Sequence, residues 1–313
     1  RLVSWIDFPE ETGGITDTPK FKRCAAGRED NSVKGGDQAE EAAKFYSTVF
    51  ASTRIGKIAR YGHSGADVSG QKEGSVMTVE FEIEGHQIIG LNGGPLFKLT
   101  PSMSFFVSCS SQGEIDDKWK KLSAGGNVRM GLDKYPWADA YGWTADKFGV
   151  EWQLILSPRP HKIVPSFLFV DALFGRGEEA VNHYLSIFPN SKIESMARDE
   201  KTKSIMHCAF TLNGQGFTLM EGQGKHGHTF NESMSIMVNC QDQAEIDRYW
   251  TALTKGGEES QCGWLKDKFG VSWQITPKDM GKFMSNPATS ERVMKAMLGM
   301  KKIDLAALER AAR

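Results

Sequence analysis

The sequence has no excess of one charge sign, no long apolar run and no paired-cysteine motif. Lys plus Arg number 38 and Asp plus Glu 39, a formal net charge of −1 over 313 residues. A general grip on nucleic acid or on an anionic membrane needs clustered positive charge, so neither partner is expected. No window approaches the ~18 uninterrupted apolar residues of a bilayer-spanning helix. From Arg1 onward no basic-then-apolar leader is seen, and the expectation is a soluble, cytoplasmic protein. The five cysteines (Cys24, Cys109, Cys208, Cys240, Cys262) are odd in number and include no C-x-x-C pair. That argues against a disulfide scaffold or a thiolate zinc site. Cys109 and Cys240 end apolar runs and read as buried thiols. With 40% hydrophobic and 25% charged residues the chain is not disordered throughout, and its length suits two domains of ~150 residues.

What is present is an internal duplication. AEEAAKFYSTVF at 39–50 matches GEEAVNHYLSIF at 177–188, and PSMSFFVSC at 101–109 matches ESMSIMVNC at 232–240. QGEIDDKW at 112–119 matches QAEIDRYW at 243–250, and DKFGVEWQ at 146–153 matches DKFGVSWQ at 267–274. Four anchors in one order define two copies. The first copy is longer around 62–74 and again between Gly126 and Gly142, where NVRMGLDKYPWADAY faces only EESQC. Tyr135, Trp137 and Tyr141 in that second insertion would lid or plug a cavity beside it. The copies meet at SPRPHKIVP (157–165), whose prolines suit an extended linker.

Periodicity assigns the elements. Ala42, Phe45, Tyr46, Val49 and Phe50 fall at helical spacing behind a candidate N-cap, Asp37. Ser111 with Glu114, and Asp242 with Glu245, have the capping-box spacing. MTVEFEIE at 77–84 alternates strictly, placing Met77, Val79, Phe81 and Ile83 on one buried face. The second copy repeats this with Met206, Cys208, Phe210 and Leu212. Each copy reads as two βαβββ units, an α+β fold with mixed sheets. The strand expected before the first helix is LVSWIDF (2–8), which alternates weakly; residues 9–36 read as disordered. The domain organisation is an irregular segment 1–36, a first domain 37–157, a second domain 164–276 and a helical tail 277–313, with Asp304 capping its last helix.

AEEAAKFYSTVF, MTVEFEIEGHQIIGLNGG, MSFFVSC, QCGWLKDKFGVSWQI and VMKAMLGMKKIDLAALERA together resemble the PhnB-like family of the vicinal-oxygen-chelate superfamily, with glyoxalase I and bleomycin-resistance proteins. The resemblance spans roughly 37–313. It implies a tandem pair of glyoxalase-like domains, each of two βαβββ modules, forming cup-shaped mixed sheets with helices outside. It also implies a pseudo-dimer within one chain, a monomer in solution. Chemistry in the superfamily usually rests on a divalent metal held in the cup by His and Glu. Where the last strand would carry that Glu, this chain has Gln153 and Gln274; where the fifth strand would carry His, it has Ser104 and Ser235. Amide and hydroxyl are weak ligands beside carboxylate and imidazole. No metal or other cofactor is therefore expected. A divalent ion is the alternative, with Glu221, His226 and His228 as candidate ligands.

If Trp152 and Trp273 pack under the helices, Gln153 and Gln274 line the cups. Ser104 with Phe106, and Ser235 with Met237, share strand faces, and Asn92 corresponds to Glu221 at the end of the fourth strand. Asn92, Ser104, Phe106, Gln153, Ser235, Met237 and Gln274 form the candidate ligand-binding set. His207 and Glu221 are the candidate acid–base groups; Glu80 and Glu82 pair two apart on a strand face, as solvated charges also do. Three functions follow. The first is a small-molecule-binding protein without the usual metal site. The second is a superfamily enzyme of lyase, isomerase or dioxygenase type with a noncanonical site. The third is the demethylubiquinone methyltransferase activity named in the family label; no Gly-rich strand-to-helix turn seats S-adenosylmethionine for it.

Overall fold

The structure, a computed structural model, describes residues 2–8, 38–159, 162–284 and 286–313. The first repeat runs β1 (Leu2–Asp7), α1 (Gln38–Val49), β2 (Thr53–Arg60), α2 (His63–Ser69), β3 (Val76–Ile83), β4 (His86–Leu91), β5 (Met103–Cys109), α3 (Gln112–Ser123), β6 (Asn127–Tyr135), β7 (Ala138–Ala145) and β8 (Glu151–Leu156). The second runs β9 (Ile163–Val170), α4 (Gly177–Ile187), β10 (Lys192–Arg198), β11 (Ile205–Leu212), β12 (Gln215–Gly222), β13 (Met234–Cys240), α5 (Gln243–Thr254), β14 (Glu258–Glu259), β15 (Trp264–Lys266) and β16 (Ser272–Pro277). The tail adds α6 (Met280–Met284), α7 (Pro287–Leu298) and α8 (Leu305–Ala312). No helix among the described residues is long and apolar enough to cross a membrane.

The α+β tandem architecture is the one read from the sequence, and two points within it differ. The stretch assigned as irregular, 1–36, opens with β1, which sits inside a sheet between β4 and β13. Its alternation is weak because both faces are covered: Leu2, Ile6 and Phe8 are buried on one side while Val3, Trp5 and Asp7 line a cavity on the other. Asp37, Cys24 and the rest of 9–36 lie outside the described residues. The second point is module pairing. The first eight-stranded sheet runs β14-β15-β16-β13-β1-β4-β3-β2 and the second β10-β11-β12-β9-β5-β8-β7-β6. Each sheet thus takes four strands from each repeat, joined by the antiparallel pairs β1–β13 and β5–β9. The modules that share a bowl come from different repeats.

One continuous core runs through both sheets and the helices. The duplicated Asp-Lys-Phe-Gly motif fastens it. Asp146 Oδ1 accepts from the Phe148 and Val150 amides, while Tyr46 Oη and Trp152 Nε1 both donate to Oδ2 at 2.8 Å. Asp267 repeats all four bonds with Phe269, Val271, Tyr184 and Trp273. Tyr46 belongs to a helix on the first sheet and Trp152 to a strand of the second, so the carboxylate links modules that the sheets separate. Burial raises the Asp146 carboxyl to about 6, and Asp267 moves up for the same reason.

The N-caps form as read: Ser111 Oγ accepts from Glu114 N, Asp242 Oδ1 from Glu245 N and Asp304 Oδ1 from Ala307 N, while the Glu114 and Glu245 carboxylates reach one residue further back, to the Ser110 and Gln241 amides. Met77 and Met206 leave the face assigned to them. The β2–β3 and β10–β11 ladders shift register there, which buries Val76 and Ile205 instead and leaves Met206 exposed.

Candidate ligand-binding site

On β8 and β16 the alternation holds. Trp152 packs into the core against Tyr46, Phe50 and Phe105, with ring centroids 5.1–5.3 Å away. Trp273 packs against Tyr184 and Phe188 at 5.4 Å. Gln153 and Gln274, one residue on, therefore point to the concave faces. There each amide donates from Nε2 to a serine on the neighbouring strand, Gln153 to Ser104 Oγ and Gln274 to Ser235 Oγ, both at 2.9 Å. Beyond this shared pair the two bowls diverge.

The bowl of the second sheet is filled. Tyr141 Oη donates to Gln153 Oε1 at 2.5 Å, and its ring joins Phe106, Ile155 and Val164 in an apolar cluster flanked by Met130, Tyr135 and Trp143. The first-copy insertion is the β6–β7 hairpin; Tyr135 and Trp137 stack at 5.0 Å at its end. Tyr141 is thus a plug. Glu151 Oε1 accepts from Arg129 at 2.7 Å and its Oε2 accepts from Trp143 Nε1 at 2.8 Å. Arg159, from the linker, lies over the Phe106 ring and donates to His207 Nε2 at 3.3 Å. Burial first, and the Arg159 charge second, hold the His207 imidazole down at about 4. His207 is thus neutral near pH 7 and lies against Phe106.

Among the described residues, the bowl of the first sheet is not filled. It contains a cavity of about 1730 Å³. Its floor carries Gln274, Met237, Asn239 and Thr276 beside Trp5, Ile89 and Leu91. Trp5 and Trp264 meet edge to face at 5.9 Å. No described residue donates to Gln274 Oε1, and Trp5 Nε1 is buried without an acceptor. Arg54, Lys57, Glu80 and Glu82 stand at one rim, with Arg54 and Glu82 paired at 3.5 Å. The opposite wall is the tail: Met280, Met284, Met294, Met297 and Leu298 of α6 and α7. Gly263, at φ +83°, lets the chain run close against β16, since a Cβ there would lie 2.5 Å from the Ile275 carbonyl oxygen and 3.2 Å from Ile303 of the tail. The Cys262 and Gly263 amides donate to Met300 and Lys301 carbonyls at 2.7 Å, seating the tail.

The remaining candidates fall outside the bowls. Asn92 faces the helix layer, where Oδ1 accepts from the Ala39 amide of α1 and Nδ2 donates to the Val76 carbonyl, both at 3.0 Å. Glu221 is its counterpart: Oε1 accepts from Gly177 N of α4 at 2.7 Å and Oε2 from Ile205 N at 2.6 Å. Both side chains tie a helix start to a strand start, and Asn92 is not a cavity residue. His226 Nε2 lies 3.2 Å from the Gln223 carbonyl and His228 Nδ1 bonds Ser102 Oγ at 2.8 Å. No group of three or more His, Cys, Asp or Glu side chains that could hold a metal ion occurs among the described residues. Sequence reasoning missed Trp5, Trp264 and the tail methionines as cavity walls. The stripe Val293, Met294, Met297, Leu298 was the available signal, but it marks an apolar face without saying what that face covers.

The sequence matches the family described as 3-demethylubiquinone-9 3-methyltransferase twice in tandem, over residues 34–155 and 161–276. The chain belongs to this PhnB-like family. Among solved structures, the PhnB-like chain is 37% identical to a PhnB protein from Bacillus cereus that bears the same family description, over 38% of this chain and 92% of that one, with a TM-score of 0.35. Glyoxalase I from Zea mays is 12% identical over 78% of this chain and 90% of that one, with a TM-score of 0.52, and shares the fold. FosX from Listeria monocytogenes, solved with Mn(II), is 18% identical over 36% of this chain and 86% of that one, with a TM-score of 0.26. No curated protein matches. At these four strand positions the donors of this PhnB-like chain fit a divalent ion poorly: the amide–hydroxyl pairs Gln153–Ser104 and Gln274–Ser235 are neutral and bonded to each other.

Proposed function

We propose that this PhnB-like protein binds a small organic molecule in the bowl of the first sheet and holds it by hydrogen bonds and apolar contact, without a protein-bound metal. The observation that carries this is the contrast between the bowls. One is packed with Phe106, Tyr141, Ile155 and Val164; among the described residues the other keeps a cavity walled by tryptophan and thioether side chains around an amide oxygen to which none of them donates. Small-molecule sites have this composition, mainly apolar with a few placed polar groups. An acid–base enzyme is the weaker reading, because His207 lies in the filled bowl and both Glu221 oxygens accept amide hydrogens. Methyl transfer has no Gly-rich strand-to-helix turn to support it.

Thermal shift and calorimetry against a library of small aromatic and aliphatic molecules test the proposal. Binding is expected to be lost in Met237→Trp, which fills the floor of the open bowl, and kept in Phe106→Trp. Zn, Ni, Mn or Fe(II) alone are expected to give no stabilisation. A ligand unaffected by Met237→Trp, or a stoichiometric metal, would contradict it, and heat from S-adenosylmethionine would favour the methyltransferase reading.

A further inference from the structure

The duplication lets one half of the molecule report on the other. Gln153 and Gln274 occupy equivalent places: each lies opposite a tryptophan across an antiparallel pair, Trp143↔Gln153 and Trp264↔Gln274, and each donates to its serine at 2.9 Å. What differs is the group in front of the amide oxygen. In the second sheet it is the phenol of Tyr141, two residues before Trp143. Two residues before Trp264 stands Cys262, whose Sγ contacts the Met297 carbonyl oxygen at 3.5 Å. Phe106, which packs with Tyr141, is replaced by Met237, and Ile155 by Thr276. A phenol ring and part of its packing are therefore removed from the first sheet. Cys262, Met237, Thr276 and Gln274 all line the cavity that results.

We infer that the open bowl recognises a hydroxyaromatic group whose O–H donates to Gln274 Oε1, as the Tyr141 phenol donates to Gln153 Oε1. The inference rests on the proposed binding function and deepens it by naming the ligand's chemistry. A carbonyl oxygen can only accept, so the ligand group in front of it must be a donor, and the donor at this place in the twin bowl is a phenol O–H; an ether or a phenolate oxygen would face it lone pair to lone pair. The aromatic part has a matching environment in the perpendicular Trp5 and Trp264 rings and in the thioether of Met237, a pairing of sulfur and ring that is itself favourable.

The probe is p-cresol, the tyrosine side chain as a free molecule, compared with toluene and 4-methylanisole. Displacement of N-phenyl-1-naphthylamine from the wild-type chain reports entry into the bowl. p-Cresol is expected to bind about tenfold more tightly than either analogue, the net worth of one neutral hydrogen bond. Gln274→Met keeps the volume and removes the acceptor; it should abolish this preference while leaving toluene binding in place. Cys262→Tyr should supply the phenol from within and exclude p-cresol. The twin bowl gives a control that does not depend on those variants: Tyr141→Ala should lower Tm, and p-cresol should restore part of the loss. Equal binding of p-cresol and toluene, or a preference that survives Gln274→Met, would overturn the inference while leaving a binding bowl. Failure of every probe, the naphthylamine included, would overturn both.

Discussion

At the scale of single residues, the most connected side chains are Asp146 and Asp267. Each accepts four hydrogen bonds in a buried site, from two backbone amides, a tyrosine and a tryptophan. Removing either carboxylate leaves buried donors without acceptors, so Asp146→Ala and Asp267→Ala are each expected to destabilise by about 3 kcal/mol or more, checked by urea unfolding. His207 supplies a pH test. Its folded-state value of about 4 lies below the ordinary 6.5, so the unfolded chain takes up its proton first as pH falls. The stability difference between wild type and His207→Gln should therefore shrink from pH 6.5 toward pH 4. NMR titration should place His207 near 4, and Arg159→Gln should raise it. Which face Gln153 and Gln274 occupy was legible in the sequence, because each follows a tryptophan too large for anything but the core. Asn92 and Glu221 were not legible. Both faces of β4 are apolar, with Ile88 turned to the helices and Ile89 to the cavity, so alternation does not reveal which side the next polar residue takes.

At the scale of elements, the features present in only one copy make the two bowls different. The insertion at 62–74 forms α2, and Glu291 of α7 reaches its first turn, accepting from Ser64 N at 3.0 Å. That contact, with the tail amides at Cys262 and Gly263, fixes α7 as a wall of the open bowl. The insertion between Gly126 and Gly142 forms the β6–β7 hairpin and fills the other bowl; its counterpart is the short β14–β15 pair. The helices and caps were legible from spacing and from the Ser/Asp–Glu pairs. The destination of the tail was not, since an apolar stripe fits a core, a lid or a partner equally well. Glu291→Ala is expected to free α7 locally. Hydrogen exchange of 287–298 should speed up, while β13 and β16 stay protected.

At the scale of the whole molecule, four similar modules form two sheets by exchanging partners between repeats, and buried Asp–Tyr–Trp links reconnect them across the core. Repeats and module type could be read from the sequence. The exchange could not, because β1–β13 and β5–β9 are pairings between strands far apart in sequence with similar apolar faces. Duplication then allowed one bowl to be closed by its own side chains while the described residues of the other leave a cavity. The most direct test is diffraction from crystals soaked in p-cresol. One ring is expected per chain, in the bowl of the first sheet, with its oxygen within hydrogen-bond distance of Gln274 Oε1 and none beside Gln153. A ring in the bowl of the second sheet with Tyr141 displaced, or bowls equally empty at saturating p-cresol, would contradict it.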